Sequence, residues 1–122
     1  MKKEPVHKII EEYSRKPYVD NLLLVSSVYG SISPKKNVQA ISRSVASLLS
    51  VTYEGTKELV NNVGLKLTEV NVKTNTGHSI IIRPLDETHF LAVQVRSYNE
   101  KVMEDIDNLI STLGPSIEDL DL

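Results

Sequence analysis

Cysteine and tryptophan are absent from this chain, and phenylalanine occurs once in 122 residues. Without cysteine there is no disulfide, no thiolate zinc site and no thiol nucleophile, a composition that fits a reducing compartment and makes the cytoplasm the expected location. Long apolar runs are missing as well. Nothing approaches the ~20 apolar residues of a membrane-spanning helix, and Met1-Lys2-Lys3-Glu4-Pro5 leads into an amphipathic pattern instead of a signal-type apolar segment, so no direct membrane insertion is expected. A basic excess is lacking too. The net charge is −2, and binding to nucleic acid relies on clustered Lys and Arg, so no nucleic-acid partner is expected and Lys35-Lys36 reads as solvated loop.

The residue patterns of common chemistries are equally scarce. No serine stands in Gly-x-Ser-x-Gly, and the five glycines form no phosphate-binding loop. Of the three histidines, His7 falls in a first helix, while His78 and His89 begin successive strands and so lie at opposite ends of a hairpin, about 20 Å apart at strand rise. Glu104, Asp105 and Asp107 read as the solvated face of a last helix, with acid–base work as the alternative. The expectation is a protein that is not an enzyme, with no catalytic residue, no metal and no cofactor.

What is present is an ordinary globular composition, 40% apolar and 25% charged, of single-domain length. One domain is expected over 1–114, with an acidic flexible tail over 115–122. Pro5 suits the first position of a helix carrying Val6, Ile9, Ile10 and Tyr13, which Lys16-Pro17 ends. Leu22-Leu23-Leu24-Val25 lies in a strand over 21–27, Val28-Tyr29-Gly30 makes a turn, and Ser31-Ile32-Ser33 returns as a short strand. A segment over 65–74 reads as a strand whose alternation changes phase between Leu67 and Val70, from a bulge or an edge position. Strands over 78–85 and 89–96 follow, joined through Asp86-Glu87-Thr88. Ser97 and Glu100 fit a capping box before a helix bearing Val102, Met103, Ile106, Leu109, Ile110 and Leu113, which ends at Gly114-Pro115.

The longest pattern is helical, over 33–64, opened by Ser33-Pro34 or Asn37 and closed by Gly64. At about 100° per residue, Val38, Ile41, Val45, Leu48, Leu49, Thr52, Thr56, Leu59, Val60 and Val63 share one broad side, expected to be the core face. A second stripe is small: Ala40, Ser44, Ser47, Val51 and Gly55. Gln39, Arg43, Ser50, Lys57 and Asn61 take the remaining side. A glycine inside a helix costs about 1 kcal/mol against alanine, so at Gly55 either the helix kinks or another backbone comes close. Arg43 on the outward part of the helix is either solvated or presented to a bound nucleotide.

The order is therefore α-β-β-α-β-β-β-α. Strands as continuously apolar as Leu22-Leu23-Leu24-Val25, Ile80-Ile81-Ile82 and Phe90-Leu91-Ala92-Val93 need both faces covered, so the expected fold is α+β, an antiparallel sheet with the long helix on one face and two terminal helices on the other.

These segments resemble the roadblock (dynein light chain) domain family, related in fold to profilin-like and longin domains. The resemblance rests on the strand Leu22-Leu23-Leu24-Val25-Ser26 with its Gly30 turn, the helix through Ala46-Ser47-Leu48-Leu49, and the meander closing on Phe90-Leu91-Ala92-Val93-Gln94-Val95. One departure is the first turn, where the family commonly has an acidic residue before glycine and this chain has Val28-Tyr29-Gly30. The resemblance implies a five-stranded antiparallel sheet and a homodimer in which the long helices lie together and the third strands pair at their edges. Carried to this chain, Ala40, Ser44, Ser47, Val51 and Gly55, with Thr68, Val70 and Val72, would form the dimer surface. Gln39, Arg43, Ser50 and Lys57 would remain for a small Ras-like GTPase, in a regulator, scaffold or signalling role that also admits a second roadblock-domain protein as partner. The alternative is a small-molecule sensor of profilin-like fold.

Overall fold

The computed structural model describes residues 4–27, 30–33 and 40–117, with side chains for 5–27, 30 and 44–117. Eight elements follow one another: α1 (Glu4–Ser14), β1 (Val19–Ser26), β2 (Gly30–Ser33), α2 (Ala40–Asn62), β3 (Val70–Lys73), β4 (Ser79–Pro84), β5 (His89–Val95) and α3 (Glu100–Ile117). The strands form one sheet in the order β2-β1-β5-β4-β3, every pair antiparallel. The last strand in sequence is thus the central one.

The unbroken apolar runs of β1 and β5 are explained by what covers them. Leu22, Leu24, Leu91, Val93 and Val95 point to one face, where Val6 and Ile10 of α1 and Val102, Ile106, Leu109 and Leu113 of α3 close over them. Leu23, Val25, Ile82, Phe90 and Ala92 point to the other, under α2. Side chains alternate along a strand, so a strand buried on both faces has no polar phase. Each such residue contributes about 1.5–3 kcal/mol relative to exposure.

β3 is shorter than the pattern over 65–74 predicts, and Pro84 gives the reason. The Leu85 N–H donates to the His89 carbonyl at 3.0 Å, so odd-numbered residues of β4 bond to β5 and Ile82 and Pro84 face β3. Proline has no N–H, so the β3 ladder stops at the Val70–Ile82 pair. Residues 65–69 are irregular, which lets Leu67 and Val70 both reach the α2 side. The apparent change of phase is an irregular lead into a short edge strand.

Helix ends differ in detail from their sequence signals. Gly64, at φ +78°, closes α2: its N–H donates to Asn61 O at 3.0 Å and the Leu65 N–H to Val60 O at 3.1 Å, the paired bonds of a Schellman cap. At the start of α3 the cap is Asn99, whose Oδ1 accepts from the Val102 N–H at 3.0 Å, in place of the Ser97–Glu100 box. α3 also runs past Gly114 and Pro115 to Ile117, which is 3% exposed in the core. Burial of Ile117 holds the last turn although Pro115 withdraws one backbone donor, so the part expected as tail begins inside the helix. The starting signals Pro34 and Asn37, and the turn residues Val28 and Tyr29, lie outside the described residues.

Candidate interaction surface

The face of α2 that meets the sheet is not the one the apolar count selects. Among the described residues, Ala46 and Tyr53 are buried on it, with Leu49 half-buried beside them. The Tyr53 ring packs on Phe90 at 4.7 Å between centroids, tilted by 32°. Tyr53 carries more surface than any aliphatic residue of the helix, and burying it against the one phenylalanine sets the rotation of α2. Ala46, Tyr53 and Val60 recur every seven residues, the signal that identifies this line.

Val45, Leu48, Thr52, Leu59 and Val63, expected in the core, therefore point outward. Leu48 is 67% exposed, Leu59 65% and Val63 64%, and Val51 beside them is 71% exposed. Ser44, Ser47, Val51 and Gly55 of the small stripe are exposed as expected. The two stripes thus form one outward surface instead of a core face and a spare one. α2 is continuous through Gly55, and an added Cβ there would meet nothing within 4 Å among the described residues, so neither a break nor a neighbouring backbone among them accounts for the glycine.

The polar side of α2 borders the sheet. Ser50 is half-buried, and Lys57, 25% exposed, lies 5.2 Å from the Tyr53 ring centroid, donates to the Glu87 carbonyl at 3.3 Å and sits 3.6 Å from Glu54. Ser50 and Lys57, the two described members of the side left for a GTPase, are thus partly covered, because the helix is rotated to bury Tyr53. Gln39, and the side chains of Ala40 and Arg43, fall outside the described part.

At the edge, Val72 is 40% exposed and Thr68 exposed, but Thr68 precedes β3, and Val70 packs beneath α2. Below it, polar side chains fasten the lead into β3 to α3: Arg83 lies 3.4 Å from Glu69 and donates to Asp107 at 2.6 Å, and Tyr98 donates to Glu69. Partial burial opposes the Arg83 charge, but Asp107 and Glu69 hold its pKa above the ordinary value. Burial and the bond to Glu69 push Tyr98 up to about 12. On the far side of α3, Tyr13 donates to the Asp105 carbonyl and Tyr18 to its carboxylate at 2.8 Å.

Where β3 stops, a cleft of about 700 Å³ opens between the end of α2, residues 66–68 and the β4–β5 turn. Its walls include Tyr53, Lys57, Asn61, Lys66 and Leu67, and the charges of Lys57 and Arg83 in it are already engaged. The histidines do not converge: His78 is 3.3 Å from Asp20, and His89, buried, is 2.9 Å from Asp86. Among the described residues no helix is long and apolar enough to cross a membrane.

No family sequence model matches the chain, and no curated protein matches it in sequence. Solved structures match its fold. MglB of Myxococcus xanthus superposes with a TM-score of 0.81 at 15% identity, covering 96% of this chain and 98% of that one. A Roadblock/LC7 domain from Streptomyces avermitilis gives 0.78 at 15% identity, with 92% and 97% covered. An MglB with a tetrameric arrangement gives 0.78 at 16% identity, with 97% and 91% covered. The sheet with α2 on one face and α1 and α3 on the other is the fold of the Roadblock/LC7 domain.

Proposed function

We propose that this protein is a non-enzymatic scaffold or regulator that pairs with itself through the outer face of α2 and binds a small Ras-like GTPase. The observation that carries the reading is the outward apolar surface of α2, which runs from Val45 to Val63 on a fold otherwise packed on both sheet faces. Contiguous exposed apolar surface of this kind marks a protein contact. The self-contact is assigned to Ala40, Ser44, Ser47, Val51 and Gly55, with the β3 edge at Thr68, Val70 and Val72 as a second line of contact. A relative in fold that forms a tetrameric arrangement supports self-association.

The GTPase contact is assigned to Arg43, Ser50 and Lys57, which recur every seven residues along α2 and end beside the cleft, together with Gln39, the residue before the helix in sequence. A second roadblock-domain protein is an alternative partner for the apolar face. The cleft gives the small-molecule reading its one support, weakened because two of its cations are already paired within the chain. The test is gel filtration of the protein with GTP-loaded Ras-like GTPases of the same cell, followed by phosphate release. A complex is expected with one of them, and Lys57→Ala weakens it. No complex with any of them sinks the GTPase assignment, and a complex with unchanged turnover leaves a scaffold and removes an activator.

A further inference from the structure

The cleft where β3 stops is walled by groups that the fold leaves unused. Tyr53 is 1% exposed and lines it, yet its hydroxyl has no hydrogen-bond partner among the described residues. Burial, with Glu54, Glu87 and Asp86 nearby, raises its pKa, so the hydroxyl keeps its proton at neutral pH and can donate. A buried hydroxyl without a partner costs stability, and one that lines a cleft can recover that cost from a ligand. Lys57 and Asn61 follow Tyr53 at intervals of four and bring the same face of α2 to the cleft. On the sheet side, Pro84 faces the rung that β3 lacks, so its carbonyl receives no donor from β3. Leu67, Leu85 and Ile110, each half-buried, supply the apolar part of the wall.

The charges on this wall are balanced. Lys57, Lys66 and Arg83 stand against Asp86 and Glu87, and Arg83 is matched by Glu69 and Asp107. Asp86 is taken up by the Thr88 and His89 N–H groups, and Lys57 by the Glu87 carbonyl and Glu54. The Lys66 ammonium and the Glu87 carboxylate remain, one of each sign, neither with a hydrogen bond or ion pair to a described residue. They border the cleft from different segments, Lys66 after α2 and Glu87 in the β4–β5 turn. A ligand of net charge gains at one and loses at the other, whereas a zwitterion matches both. The geometry points to a binding site here for a free peptide of two or three apolar residues: its carboxylate at Lys66, its ammonium at Glu87, a peptide N–H on the Pro84 carbonyl, a peptide carbonyl on the Tyr53 hydroxyl, and its side chains against Leu67 and Leu85. A single amino acid has both charges but no peptide group for Pro84 and Tyr53. The volume of about 700 Å³ is that of a small-molecule site. The site does not use the outer face of α2, and it does not rest on the GTPase reading.

The test is titration of the ¹⁵N-labelled protein with leucyl-leucine, read from the amide chemical shifts, with the N-acetylated peptide, the C-terminal amide and free leucine as controls. Saturable shifts are expected at Asn61, Leu67, Leu85 and Glu87. Blocking either terminus should weaken binding about threefold, the scale of an exposed ion pair, and free leucine should bind more weakly than the dipeptide. Tyr53→Phe keeps the ring on Phe90 and should weaken binding about fivefold, the scale of one hydrogen bond. Lys66→Gln, at an exposed position, should match the loss from blocking the carboxylate. Equal affinity for the blocked peptides, or full affinity in either variant, overturns the site. Shifts confined to Leu48, Val51 and Leu59 overturn it too, since they mark apolar contact with the outer face of α2, as does the absence of saturation at millimolar peptide. If Tyr53→Phe does not fold, Lys66→Gln and the blocked peptides decide. None of these outcomes alters the GTPase test above.

Discussion

Asp86 and Tyr53 bear most on how the site is built. The Asp86 carboxylate accepts from the Thr88 and His89 N–H groups at 2.9 and 2.8 Å and lies 2.9 Å from the His89 ring, closing the β4–β5 turn. Partial burial works against the charge, but those hydrogen bonds hold its pKa below the ordinary aspartate value. A depressed folded pKa means that the unfolded chain takes up a proton first. The stabilisation is therefore fully present above the unfolded pKa near 4 and is lost as pH falls through the folded value. Urea unfolding should show Asp86→Asn less stable than the parent at pH 7, with the gap narrowing in acid; a gap independent of pH contradicts this role. Tyr53→Ala should cost about 3 kcal/mol, the scale of removing a buried aromatic ring, measured by the same unfolding. Tyr53 was legible only in part. Its period of seven with Ala46 and Val60 is in the sequence, but a helical wheel weighted by the number of valines and leucines selects the opposite side.

Among the elements, α2 carries the account. Its existence, its Gly64 cap and its span near Asn62 could be read from the spacing of apolar residues, as could the covered strands from Leu22-Leu23-Leu24-Val25 and Phe90-Leu91-Ala92-Val93. Its rotation could not, because an apolar stripe that meets another molecule looks the same in sequence as one that meets the core. The limits of β3 were hidden for another reason: Pro84 ends the ladder from across the sheet, and a pattern read along 65–74 contains no sign of it. Gly55→Ala separates the two roles of α2. Alanine in a helix is favoured over glycine by about 1 kcal/mol, and none of the described residues obstructs the added methyl. Unfolding of the monomeric form should therefore show a gain, while self-association weakens because the methyl enters the contact. A gain in both would remove Gly55 from the contact.

At the scale of the whole molecule, the central strands β1, β4 and β5 are covered on both faces, yet one helix turns Leu48, Val51 and Leu59 to solvent. Those side chains add nothing to the fold where they stand, so polar replacements should leave unfolding within about 0.5 kcal/mol of the parent, the range of ordinary surface changes. They should nevertheless change the assembly. The same separation explains why fold was more legible than function: core burial leaves a periodic trace in every element, whereas a partner leaves only a surplus of apolar surface, and its identity is not in the pattern. The most direct test is sedimentation equilibrium at micromolar concentration of the parent chain and of Leu48→Asp. The parent is expected at twice the 13.6 kDa chain mass and the variant at the single-chain mass. A parent that sediments as a single chain, or a variant that remains a dimer, contradicts it.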